Sequence, residues 1–266
     1  MQFMVFLGAL RYEYLMQSRR RAIWVTFLLF ALAIIGFLFA IPPQWHEALS
    51  HLNRYSLREV IVNWASYLNY LTPVLVGVLL ADRLPYDRRT KMNELLVTVP
   101  GALDARIWGK YIGSLLATLL PVVLLYGCGL AYIFWQVPDP GALPLALSAF
   151  FAIIMPGMLF IGAFSLACPA VLWVPVYQFL YVGYWLWGNT LPTNNGIPTL
   201  SNTLLTPIGG YAVAGFFHVV YAENSDLQIA RASIWQALAS VSLLLGIALL
   251  VMVTLCRFLQ WRQEQA

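Results

Sequence analysis

From residue 140 to residue 222 the chain runs 83 positions without an Asp, Glu, Lys or Arg. A soluble domain carries about 25% charged residues; this chain has 10%, with 61% hydrophobic residues. So long an uncharged stretch keeps out of water only by facing lipid or other apolar helices. The sequence therefore reads as one all-α, polytopic membrane domain over residues 1–266.

A helix crosses ~30 Å of hydrocarbon with about 20 apolar residues. Six runs meet that length or approach it: Ala22–Ile41, Val60–Ala81, Tyr111–Trp135, Ala142–Ala167, Ala170–Gly188 and Ser233–Cys256. Only Cys168-Pro169 separates the fourth from the fifth, which implies a tight helical hairpin. Prolines 73, 121, 144, 156 and 175 fall in or near these runs, where neighbouring helices can satisfy the carbonyls they free.

With six crossings both termini share a side. That side holds Arg11, Arg19, Arg20, Arg21, Arg83, Arg88, Arg89, Lys91, Arg106, Lys110, Arg257 and Arg262, against Arg54, Arg58 and Arg231 opposite. The positive-inside rule then places the termini and the 82–110 loop in the cytosol, with the chain in the cytoplasmic membrane. The net charge of +4 reports this topology and gives no reason to expect nucleic acid.

The first apolar run has the length of a retained span, and no small-x-small cleavage pattern follows it before Pro42-Pro43. Ahead of it, Phe3, Phe6, Leu7, Leu10 and Tyr14 recur at helical spacing, with Arg11 and Gln17 off that face. This predicts an interfacial helix in contact with membrane lipid, turning into the first span at Arg19-Arg20-Arg21. Cys128, Cys168 and Cys256 sit in spans or at their cytosolic ends and imply no disulfide framework.

Outside the membrane, His46 and His51 stand five residues apart, about 140° around a helix, whereas a zinc-protease helix needs four; no metal site is read here. The outer segment 189–232 has a Pro/Asn/Gly-rich start followed by the uncharged run Ile208–Ala222. That run is too short to span and suits a re-entrant or interfacial helix, or an apolar loop over the bundle.

No charged residue lies deep in a predicted span, which argues against a proton- or sodium-coupled carrier. A catalytic constellation is also lacking. Gly109-Lys110 looks like the end of a phosphate loop, but Asp104 stands at the first glycine's place and Tyr111 at that of the Ser/Thr. The chain reads as a protein without enzyme activity or a cofactor of its own, driven by another subunit.

Between Asp82 and Lys110 lie ten of the 26 charged residues in 29 positions. Within this loop Asp87–Val99 reads as a surface helix, with Met92, Leu95, Leu96 and Val99 as an apolar stripe and Arg88, Lys91 and Glu94 outward. Pro100-Gly101 ends it, and Asp104 is placed to cap the third span. Gly109, Gly113 and Ala117 form a small-residue face for close helix packing.

These features together resemble the permease subunit of type-2 ATP-binding-cassette exporters. The sequence-specific part is the Arg-rich run into Glu94-Leu95-Leu96-Val97-Thr98-Val99-Pro100 and the Gly109-Lys110-x-x-Gly113 start of the third span. Where the family often has a glycine before its Glu-Leu-Leu run, this chain has Thr90-Lys91-Met92-Asn93. The resemblance implies paired permeases, identical or related, each pressing a coupling helix onto one of two cytosolic ATPase subunits that use ATP and Mg. It implies docking through Arg88, Arg89, Lys91, Glu94 and Leu95, with Met92, Leu96, Val99 and Pro100 anchoring the helix.

Polar groups on the second span (Asn63, Asn69, Thr72, beside Pro73) and on the fifth (Tyr177, Gln178, Tyr181) lie where the family places its permease interface, and are candidates for the translocation path. Trp185 and Trp187 read as an outer aromatic belt. Two other classes stay open: a self-sufficient carrier or channel, and a membrane scaffold or sensor that recruits a cytosolic protein without transport.

Overall fold

The computed structural model describes residues 2–40, 56–90, 102–190, 199–201, 203–219 and 232–265. Among these residues the chain is all-helical and has no strand. In chain order the helices are α1 (Gln2–Ser18), α2 (Arg21–Ala40), α3 (Leu57–Leu80), α4 (Arg83–Arg89), α5 (Leu103–Gln136), α6 (Ala142–Ala149), α7 (Met155–Ala167), α8 (Val174–Thr190), α9 (Gly210–Phe217) and α10 (Ile234–Glu264).

Four helical stretches are long and apolar enough to cross a membrane: Leu57–Asp87, Leu103–Gln136, Ala142–Ala170 and Ile234–Glu264. This is compatible with a multi-pass membrane protein. The predicted first span is the 20-residue α2, and the fifth is the 17-residue α8. At 34 residues α5 is about 51 Å long, well beyond ~30 Å of hydrocarbon. It begins eight residues before the predicted third span, so Asp104, Arg106 and Lys110 are helical.

Asp104 does not cap that helix. The N-cap is Ala102, without a side-chain bond, and Asp104 instead accepts 2.8 Å from Nε2 of Gln260 near the end of α10. Ser56 and Ser233 do act as caps. Each accepts from the backbone three residues on, while the Glu59 or Gln236 side chain returns to the cap N–H.

Helices α3 and α7 occupy the middle of the bundle, where Ile61, Val62, Ala65, Ile154 and Met158 are sealed from outside. Polar side chains fasten helices to one another's carbonyls: Tyr111 to Leu159 (2.7 Å), Tyr126 to Ala146 (2.9 Å) and Trp64 to Tyr126 (3.2 Å). Such bonds suit an apolar setting, where helix association gains nothing from expelling water.

Between α6 and α7 the helix takes one π turn, Phe150–Ile154, before a 3₁₀ turn at Cys168–Ala170 leads to α8. Residues 203–219, in the segment predicted to be outer, fold against this π turn. Gly209, at φ 84°, would put a Cβ 3.1 Å from Cγ2 of Ile153, and its left-handed backbone favours glycine. The segment then forms α9, most of it buried, packed on α10 and α3.

The segment reaches deep into the bundle. Nδ2 of Asn69, about 18 Å along α3 from Leu57, donates to the carbonyls of Pro207 (3.0 Å) and Ile208 (2.8 Å). Non-helical backbone at that depth requires protein partners, and Asn69 supplies two of them. Gly157 leaves room for the crossing: a Cβ there would lie 2.6 Å from the Pro207 carbonyl.

Candidate functional site

Where α1, α3–α4 and α5 meet, the fold buries a cluster of charges. Arg83 donates to Oε1 of Glu13 through Nε (2.8 Å) and Nη2 (2.6 Å). Ser114 adds a bond to that oxygen at 2.9 Å, and Gln17, one helical turn along α1, adds another at 3.4 Å. Lys110 binds Oε2 at 3.4 Å and Asp87 at 2.5 Å. The side chains of Glu13 and Arg83 are 4% and 3% exposed. Two carboxylates against two cations make the cluster neutral, which a buried set of charges needs.

The approach of α1 depends on missing side chains. A Cβ on Gly109 would stand 2.7 Å from the Phe6 carbonyl and from Cβ of Ala9; one on Gly113 would stand 2.6 Å from the Leu10 carbonyl. Ala117, a turn further, is buried. With α1 this close to α5, Glu13 reaches Ser114 and Lys110 directly.

The predicted lipid-facing residues of α1 divide: Phe6, Leu10 and Tyr14 are half-buried where the helix packs on α5, and Phe3 and Leu7 are exposed. Glu13 and Gln17 are buried, while Phe3, Met4 and Leu7 are exposed. A helix between lipid and protein turns its large apolar residues to the lipid and keeps small or paired polar residues for its neighbour. Glu13, Gln17, Arg83 and Ser114 went unrecognised for this reason. The available signal was a lone carboxylate on an apolar helix, with Gln17 four residues on and the Gly109/Gly113 pair at the same spacing.

Of the predicted docking residues, Arg88 and Arg89 end α4. The Arg88 side chain is outside the described residues; Arg89 is exposed, 3.8 Å from Asp82. Asp87 lies inside α4 and the helix gives way to a turn at Thr90, so no new helix opens at Asp87. Lys91, Met92, Glu94, Leu95, Leu96, Val99 and Pro100 lie outside the described residues, as do His46 and His51.

The polar residues of α3 and α8 bind the two helices to their surroundings. From α8, Gln178 donates to the Val78 carbonyl (3.1 Å), Tyr181 to Pro73 (2.6 Å) and Trp185 to Tyr70 (2.9 Å). Tyr177 meets Ser165 at 2.9 Å and stacks on Tyr181. Thr72 bonds back to Leu68 (2.7 Å), and the Asn63 carbonyl oxygen is buried without a partner among the described residues. Trp185 is 3% exposed, so it belongs to this ladder and not to an aromatic belt; its indole N–H found a carbonyl inside the bundle.

No protein-family model matches the sequence, and a search of curated proteins finds no match.

Proposed function

We propose that the chain is the membrane-spanning permease subunit of an ATP-driven exporter of the ATP-binding-cassette type. It crosses the cytoplasmic membrane six times, through α2, α3, α5, the α6–α7 run, α8 and α10, with both termini cytosolic. ATP and Mg belong to a separate cytosolic ATPase, two copies of which serve a pair of permeases, identical or related. The outer segment with α9 is the re-entrant element.

The observation that carries this reading is the position of the charge cluster. Arg83 and Lys110 sit on either side of segment 91–101 and both hold Glu13 of α1. A partner pressing on that segment acts on α3–α4 and α5 beside the point where they are pinned together. Its push is thereby delivered to two long helices as tilt instead of being lost in a slack loop. Arg88, Arg89, Lys91, Glu94 and Leu95 make the docking contact in this scheme. For Asn69, Gln178 or Tyr181 to line a translocation route, each exchanges its present carbonyl partner for substrate.

Co-expression with candidate ATPases and purification in mild detergent should give a complex whose ATP hydrolysis is vanadate-sensitive. The double variant Arg88→Glu with Glu94→Arg should abolish coupling while leaving the helix content intact. Uphill transport by the reconstituted chain alone, without nucleotide, would overturn the proposal.

A further inference from the structure

The face of α1 turned away from the bundle has a composition of its own. At 100° per residue Met4, Leu7, Arg11 and Leu15 fall within about 80° of one another, and all four are exposed. The helix ends in the turn Arg19-Arg20, and Arg21 opens α2. Arg11, Arg19 and Arg21 are exposed and form no ion pair among the described residues, whereas Arg20 is 3.9 Å from Asp82. Nearby acids are committed elsewhere: Glu13 and Asp87 to Arg83 and Lys110, and Asp82 to Arg20 and Arg89. Among the described residues, this edge of the protein therefore joins an exposed apolar strip to positive charge without a paired acid.

We propose that the outer face of α1, with the arginine turn behind it, binds the headgroups of anionic phospholipids. Two features select that occupant. The strip leads through the arginine turn into the apolar helix α2, whose Val25, Leu28, Leu29 and Leu32 are also exposed, and its charges are of one sign with no nearby acid left to answer them among the described residues. Met4, Leu7 and Leu15 enter the acyl boundary while Arg11, Arg19 and Arg21 reach up to phosphate. Trp24 stabilises the bend, its indole N–H donating to the Ser18 carbonyl at 2.6 Å. On the opposite side of α1 Glu13 holds the charge cluster, so lipid composition bears directly on how firmly that helix is seated.

The test uses the full chain in mild detergent with mixed micelles of phosphatidylglycerol and phosphatidylcholine, bound lipid being counted by native mass spectrometry. The wild type should retain phosphatidylglycerol preferentially, less so at high salt and unaffected by soluble glycerol phosphate. R11Q/R19Q/R21Q should lose about fivefold of that preference per arginine removed. The lysine triple variant should keep most of it, and R257Q/R262Q, which removes two arginines of α10, should behave as wild type. If the triple variant does not fold, R11Q alone, at an exposed position, should still lose about fivefold. Absence of preference in the wild type, its survival in the glutamine variants, its competition by glycerol phosphate, or an equal loss in R257Q/R262Q would each overturn the proposal.

Discussion

Arg83 spends two of its N–H groups on a single oxygen of Glu13, seventy residues away in the chain, and both side chains are almost sealed from solvent. A carboxylate held in this way is the common partner of three separately encoded pieces: the first helix, the end of α3–α4 and the start of α5.

Neutralising that partner leaves the buried Arg83 without a carboxylate and Lys110 with Asp87 alone. Glu13→Gln should lower stability by about 3–5 kcal/mol, the range for breaking a buried ion pair from one side. Glu59→Gln, which keeps an exposed capping box of the kind Gln236 makes, should cost no more than about 0.5 kcal/mol. Thermal unfolding in detergent separates the two, and equal midpoints would refute the role given to Glu13.

The close passage of α1 over α5 makes a sharper distinction. Gly113→Ala forces a methyl against the Leu10 backbone and should cost about 1–3 kcal/mol, as overpacking does. Gly127→Ala, on the same helix with open space at its Cβ, should be neutral or stabilising by up to about 1 kcal/mol. The Gly113 variant should also expose α1 to protease; indistinguishable digestion of the two proteins would count against the packing described.

Asn69 is the test of how residues 203–219 are held. Asn69→Leu removes both bonds to the 207–208 carbonyls and should destabilise by about 1–3 kcal/mol. Hydrogen exchange should rise in α9 and its approach while α1 and the start of α5 stay protected. Uniform exchange across the molecule would show that the segment is not held locally at this side chain.

Apolar run length sufficed to read the helical class and to locate α3, α5 and α10, because a span must satisfy its own backbone and therefore declares itself in one dimension. It erred where a residue's role depended on which neighbour it met. The apolar spacing of α1 reads as a lipid-facing side with Gln17 off it, and it gives no sign that Glu13 and Gln17 are buried against the bundle. Asp104 had the chemistry of a cap and went instead to Gln260; Trp185 had the chemistry of a belt and went to Tyr70. In each case the polar group found a partner far away in sequence, which no local pattern encodes. The Ser56-x-x-Glu59 box, by contrast, is a local pattern and was legible, yet the span was begun at Val60.

The π turn at Phe150–Ile154 sets the phase of everything after it. One additional residue in a helical circuit offsets the two flanking halves by about 100°, so the stripe that α6 shows its neighbours is not continued in line by α7. Tyr111 meets Leu159, and Gly157 admits Pro207, only with that offset in place. Shortening the chain by one residue here would leave length and hydropathy almost untouched, yet point every later side chain of this helical run in the wrong direction.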